Sequence, residues 1–195
     1  MSQPPDGATM RAVITRPARA ADIDAIVRLV ESAYRGDASR GGWTTEADLL
    51  DGRRADAGMV RDLIADPAGR VLLLTDDDAV VGCCHLERRG ERVYLGMFAV
   101  DPGRQSRGLG SALLDAAERA ARDWGATRLE LTVLNHRPEL RAWYERRGFE
   151  LTGVTVPFPA YTDERYGIPR RSDLVLQQMV KPVGSAAVDG ADAAR

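Results

Sequence analysis

The residues best placed to do chemistry lie in one run, Val100-Asp101-Pro102-Gly103-Arg104-Gln105-Ser106-Arg107-Gly108-Leu109-Gly110-Ser111, which leads straight into Ala112-Leu113-Leu114. Two glycines two apart at a helix entrance let backbone approach a ligand with no Cβ in the way. The unpaired N–H groups of a first helical turn, at the positive end of the helix dipole, form an anion site, and a phosphate is the natural guest. Two familiar phosphate loops fit poorly. A P-loop ends in Gly-Lys-Ser/Thr, and this run has no lysine. A dinucleotide fingerprint needs a third glycine where Leu113 stands.

These residues need a scaffold, and the periodicities supply one. Residues 12–16 read as a short apolar strand. From Asp22, a candidate N-cap, Ile23, Ile26, Val27, Val30 and Tyr34 recur at helical spacing. After the turn Arg40-Gly41-Gly42, the run Thr44-Thr45-Glu46-Ala47-Asp48-Leu49-Leu50 has the Thr cap and early acids of a helix start. Residues 59–65 predict a further helix, stopped by Asp66-Pro67. Residues 71–75 and 80–86 predict a hairpin about the acidic turn 76–78. A fourth strand over 92–100 is followed by a helix over 109–123, a strand over 128–134, a helix over 138–147 and a strand over 149–154. A last strand covers 173–181. A meander feeding a β-α-β-α-β half predicts an α/β fold, a mixed sheet with helices on both faces.

The pattern resembles the GNAT family of acyl-CoA N-acyltransferases. The acetyl-CoA loop of that family reads Gln/Arg-x-x-Gly-x-Gly/Ala after a strand, matched by Gln105, Gly108 and Gly110. Members continue with a strand ending in Asn, a helix carrying Tyr, then Gly-Phe; here these are Asn135, Tyr144 and Gly148-Phe149. The resemblance covers nearly all of 11–181. It implies the GNAT fold, a central, mostly antiparallel sheet splayed between its fourth and fifth strands. It further implies that backbone groups of Phe98, Ala99 and Val100 pair with the pantetheine arm of acetyl-CoA like an added strand. Amides of Gln105, Ser106, Arg107, Gly108, Leu109, Gly110 and Ser111 would hold the pyrophosphate, with Arg107 adding charge. Asn135 would contact the cofactor through its side-chain amide, and Tyr144 would meet the sulfur as general acid. The implied reaction is direct attack of a primary amine, on a small molecule or on a peptide or protein, within a ternary complex.

Such a transfer needs an oriented thioester, a neutral amine, a polarised carbonyl and a proton for the departing thiolate. The base stays open. Many members place an acid near the fourth strand, but Arg92–Val100 has none. On the preceding strand, alternation puts Cys83, His85 and Glu87 on one face, and His85 has a suitable intrinsic pKa. Glu46 is a second candidate because it lies in the segment that usually covers the acceptor in this family. Substrate selection would fall to residues 34–59 and 157–172, where Trp43, Glu46, Asp48, Phe158, Tyr161, Asp163, Glu164 and Tyr166 mix acids with aromatics. A non-catalytic acyl-CoA-binding or sensor domain of the same fold is the alternative, and the missing strand acid leaves room for it.

Composition narrows the rest. With 195 residues, a net charge of -2 and a pI near 5.8, the chain has no footprint of a general nucleic-acid binder. No apolar run approaches the ~18 residues of a membrane span, and the start lacks the apolar stretch of a signal peptide. The only cysteines, Cys83 and Cys84, are adjacent and offer no disulfide framework. These features read as a cytoplasmic protein with no metal site. One domain over 11–183 is expected, between a flexible 1–10 and a disordered tail over 184–195. Partners are acetyl-CoA and an amine acceptor that the sequence does not identify; a homodimer stays open.

Overall fold

The computed structural model describes residues 13–42, 45–105, 107–158 and 167–184. Seven strands form one sheet: β1 Ile14–Pro17, β2 Gly69–Asp76, β3 Ala79–Arg89, β4 Arg92–Val100, β5 Arg128–Leu134, β6 Glu150–Pro157 and β7 Val175–Pro182. Their order is β1-β2-β3-β4-β5-β7-β6, and every neighbouring pair is antiparallel except β4 with β5. The longer helices are α1 Ile23–Tyr34, α2 Ala57–Ala65, α3 Leu109–Asp123 and α4 Pro138–Glu145. A two-residue ribbon pairs Leu50–Asp51 with Ile168–Pro169. None of the described helices is long and apolar enough to cross a membrane.

Both faces of the sheet are covered. On one, Leu72, Leu86, Val93 and Leu95 pack against Leu113, Leu114, Ala117 and Ala121 of α3 and Tyr144 of α4. On the other, Leu73, Cys83, Met97 and Ala99 meet Ile26, Val30 and Ala33 of α1 and Val60 of α2. At about 1.5–3 kcal/mol for each large side chain buried, these two layers outweigh any single polar contact in the fold. The β2–β3 hairpin turns at Asp77 and Asp78, both at positive φ (48° and 65°), which a two-residue turn of matching twist requires.

Three local expectations are corrected. Of the run expected to start a helix, the described residues 45–50 do not form one. The Thr45 hydroxyl accepts the Ala47 N–H at 3.2 Å, a local turn that competes with helix, and the chain then enters the short strand Leu50–Asp51. Asp22 makes no cap hydrogen bond to α1. Its carboxylate accepts instead from the Arg19 N–H at 2.8 Å and from both Arg16 guanidinium ends at 2.7 Å. Helix α4 stops at Glu145, because Arg146 and Arg147 belong to the turn that Gly148 closes at φ +85°.

Strand β4 carries the feature that shapes the site. Val93 and Leu95 face α3, and strict alternation would send Met97 there too. But Cys83 pairs with Ala99 and His85 with Gly96, so Met97 and Phe98 together oppose the single Cys84. This is a β-bulge, with Met97 at φ +46°. Beyond it the alternation slips by one: Met97 and Ala99 face α1, while Phe98 and Val100 face the α3 layer. Strand pairing between β4 and β5 covers only Arg92–Tyr94 against Arg128–Glu130, and the two separate from there on. The Tyr94 and Thr132 hydroxyls, 3.0 Å apart, bridge the base of the split.

Candidate active site

A cavity of about 320 Å³ lies beside the free end of β4. Its walls are Phe98 and Val100 from β4, Gly108, Gly110 and Ser111 from the entrance of α3, and Leu140, Trp143 and Tyr144 from α4. Tyr34, Gln105 and Arg147 complete it. The split strands, the loop and the tyrosine lie far apart in sequence and converge on one space because α3 and α4 pack on the same face of the sheet.

The two loop glycines serve different ends. Gly108 is the residue before α3 and has φ +80°, a conformation L-residues rarely adopt, while a Cβ there would meet nothing within 4 Å. Gly110 is in ordinary helix, but a Cβ there would lie 3.2 Å from Trp143 Cζ2. Its smallness lets α4 approach α3 while the residue still lines the cavity. Gln105 donates from Nε2 to the Val100 carbonyl at 3.3 Å, tying the loop to the strand end.

Tyr144 is buried, with ring centroids 4.9 Å from Trp143, 5.3 Å from Phe149 and 6.3 Å from Phe98. Among the described residues its hydroxyl has no hydrogen-bond partner, although the side chain lines the cavity. Burial, and after it the Tyr34 phenol, pushes its own phenol well above the usual range. It therefore stays protonated and has a proton to donate. Arg147 stands across the mouth. Its guanidinium stacks on Trp143 at 3.6 Å and donates to Ser111 Oγ at 2.8 Å and to the Trp143 carbonyl at 3.1 Å. All of those partners are neutral. Burial, with Arg146 next to it, holds its pKa below the usual arginine value, which describes a cation with no ion pair among the described residues, held at a helix entrance.

The structure sorts the residues expected from sequence. Phe98, Val100, Gln105, Gly108, Gly110, Ser111 and Tyr144 all line the cavity. Ala99 faces the α1 layer, Leu109 is core under α3, and Arg107 is exposed away from the lining. Ser106, Trp43, Tyr161, Asp163, Glu164 and Tyr166 lie outside the described residues. Asn135 is not brought to the cavity. Its amide donates to the Asp173 carbonyl at 2.9 Å and accepts from the Val175 N–H at 3.2 Å, fastening β5 to the start of β7.

Neither candidate base is among the residues that line the cavity. His85 points with Cys83 to the opposite face of the sheet, and a Cβ on Gly69 would lie 2.9 Å from its Nε2. That nitrogen is buried without a hydrogen-bond partner, and burial lowers the imidazole pKa. Glu46 accepts from Arg35 at 2.8 Å in a largely buried ion pair, which commits its carboxylate. Cys83 is no nucleophile either: burial pushes its thiol up to about 12. Sequence reasoning missed Arg147 and read Tyr34 as a helix-face position at the start of the substrate-selecting segment, with no role for its hydroxyl. The Arg146-Arg147 pair just before Gly148-Phe149 was the available signal for the first; nothing local marks the second.

Comparison with known proteins bears on the fold and the family. Residues 25–149 match the Acetyltransferase (GNAT) family. A mycothiol acetyltransferase of Beutenbergia cavernae is 42% identical over 80 residues, 41% of this chain but only 23% of that protein. An uncharacterized N-acetyltransferase of Mycobacterium tuberculosis is 30% identical over 109 residues, 55% of this chain and 69% of its own length. Among solved structures, a ribosomal-protein alanine N-acetyltransferase from Escherichia coli superposes with a TM-score of 0.66 at 16% identity, over 93% of this chain and 100% of that one. N-acetylglutamate synthase from Neisseria gonorrhoeae, complexed with coenzyme A and N-acetyl-glutamate, gives 0.61 at 22% identity, over 90% of this chain and 36% of that one. At these identities the structural matches establish the fold.

Proposed function

The chain belongs to the GNAT acetyltransferase family, and from that premise we propose that it moves the acetyl group of acetyl-CoA to a primary amine. The observation that carries this reading is the convergence on one cavity of a split strand, a cationic helix entrance and a phenol with no hydrogen-bond partner among the described residues. The residues suit three parts of acetyl-CoA: the pyrophosphate, the pantetheine arm and the sulfur. Amides at the α3 entrance and Arg147 suit the pyrophosphate. The free edge of β4 at Phe98 and Val100 suits the pantetheine arm, in the manner of an added strand. Tyr144 suits the sulfur. A thiol has a pKa near 8.5 and this phenol a higher one than usual, so the hydroxyl stabilises the leaving group by a hydrogen bond rather than by full proton transfer. The amine's proton goes to solvent or to a group of the acceptor side, since neither His85 nor Glu46 lines the cavity and Glu46 is paired with Arg35. A single domain over 11–183 in the cytoplasm is part of the same reading.

The test is release of free CoA from acetyl-CoA with a panel of polyamines, aminoglycosides, amino acids and peptides. The acceptor of mycothiol acetyltransferase joins the panel because a relative carries that name. Turnover with one amine class supports the assignment. A chain that gains thermal stability from acetyl-CoA yet releases no CoA with any amine is a binding domain instead.

A further inference from the structure

Phe98 sits where its backbone has lost a neighbour. Strand β3 covers one side of β4, but beyond Tyr94 no strand among the described residues covers the other. Backbone polar groups on that side need partners from elsewhere. For the Phe98 carbonyl the partner is the Tyr34 hydroxyl, which donates at 2.5 Å across 64 positions of sequence. Tyr34 is itself well fixed. It ends α1, and its own carbonyl accepts the Glu46 N–H at 3.0 Å. The Arg54 guanidinium lies 5.4 Å from its ring centre, and the Glu31 carboxylate ties that loop by accepting the Arg54 and Ala55 N–H groups at 2.5 and 2.8 Å. Met97, just before the bonded carbonyl, is in a left-handed conformation that a non-glycine residue keeps only where its surroundings enforce it.

We propose that Tyr34 is a positioning residue for acetyl transfer, its hydroxyl holding the Met97–Phe98 bulge in the form that turns Phe98 and the adjoining peptide into the cavity. This rests on the acetyl-CoA reading above. The two tyrosines that line the cavity then have separate tasks. The proton of Tyr34 is committed to a backbone carbonyl, whereas that of Tyr144 is unclaimed among the described residues. Burial also holds the Tyr34 phenol above its usual range, so it remains a donor at any working pH. Without the hydroxyl, the bulge relaxes and the thioester loses its orientation, while the pyrophosphate end at α3 is untouched.

The experiment compares wild type, Tyr34→Phe and a variant with p-aminophenylalanine at position 34, which keeps a donor on the ring. Turnover is referred to the concentration of CoA-binding sites measured by calorimetry, so unfolded material does not count. In Tyr34→Phe, kcat should fall by about 10- to 100-fold, the loss expected from a displaced reacting group. The Kd for CoA should stay within about threefold of wild type, and the amino variant should recover kcat to a similar margin. Wild-type kcat in Tyr34→Phe overturns the proposal, as does an amino variant that binds CoA yet is as slow as the Phe variant. If Tyr34→Phe does not fold, the amino variant decides: near-wild-type kcat supports the proposal and a loss of about tenfold or more overturns it. Amide exchange at residues 97–99 probes the same hydrogen bond without turnover. It should be faster in Tyr34→Phe and restored in the amino variant; unchanged exchange overturns the proposal. A wild type that binds CoA but acetylates nothing refutes the acetyltransferase reading and leaves this exchange test standing.

Discussion

Arg147→Met should weaken acetyl-CoA binding sharply while costing little stability. The methionine keeps a long apolar stem against Trp143 and removes the charge and the donors to Ser111 Oγ and the Trp143 carbonyl. Those partners are neutral and partly wet, and burial already disfavours the cation, so the free protein should lose about 1 kcal/mol or less. With a pyrophosphate at the α3 entrance, the guanidinium makes a charge-assisted hydrogen bond worth about 1.5–3 kcal/mol. At about 1.4 kcal/mol per decade that is roughly a 10- to 150-fold rise in Kd. Calorimetric titration with acetyl-CoA measures it, at two ionic strengths, because a lost surface charge must also flatten the salt dependence. Acetyl-pantetheine, which lacks the diphosphate, is the control and should be used equally well by both proteins. Unchanged acetyl-CoA affinity refutes the placement of the pyrophosphate. An equal loss with acetyl-pantetheine shows that Arg147 acts only by holding Trp143.

Gly108→Glu should abolish acetyl-CoA binding by placing negative charge at the same entrance, at a stability cost of about 1–2 kcal/mol from its positive φ; Gly108→Ala, which carries the backbone cost alone, is the comparison to run in thermal melts and titrations. Asn135→Ala should lower Tm by breaking the tie to Asp173 and Val175, with acetyl-CoA Kd unchanged; a Kd loss beyond the stability loss restores Asn135 as a cofactor contact. His85 should make the fold acid-sensitive. Its pKa is depressed in the folded state, so the unfolded chain binds more protons between the folded value and the ordinary one near 6.5. Stability is therefore full above that ordinary value and falls as pH drops through the folded one. Denaturant melts of His85→Gln across this window should show a flatter slope than wild type; an identical slope assigns the acid sensitivity to other groups.

What the sequence disclosed divides along physical lines. Elements set by local periodicity were legible to the residue in places: Leu109–Asp123 and Arg128–Leu134 match, because an amphipathic helix and a bounded apolar run carry their own signals. The loop glycines, Tyr144 and Gly148-Phe149 were legible as a motif. The bulge was not, because Arg92–Val100 reads as an uninterrupted strand and the slip is decided by pairing with Cys83 and His85. Alternation placed His85 beside Cys83 correctly but could not say which face holds the cavity. Glu46 looked like a free acid until Arg35 was found against it. Asn135 shares its motif position with the family, yet its amide is spent on a strand that begins 40 positions later. Tyr34 was placed on a helix face by spacing, and it is buried; its hydroxyl matters through a carbonyl that no local pattern could connect to it.

The most direct measurement is kcat of Tyr144→Phe on whichever amine the wild type acetylates, with Tm checked first. The change removes one hydroxyl and keeps the ring against Trp143, Phe149 and Phe98. If that hydroxyl donates to the departing thiolate, its loss acts in the transition state. A hydrogen bond to a charged group is worth about 1.5–3 kcal/mol, so kcat should fall roughly 10- to 150-fold while the KM for acetyl-CoA hardly moves. Wild-type turnover by a folded Tyr144→Phe would make Tyr144 a packing residue and contradict the assignment of this cavity's phenol to the leaving sulfur.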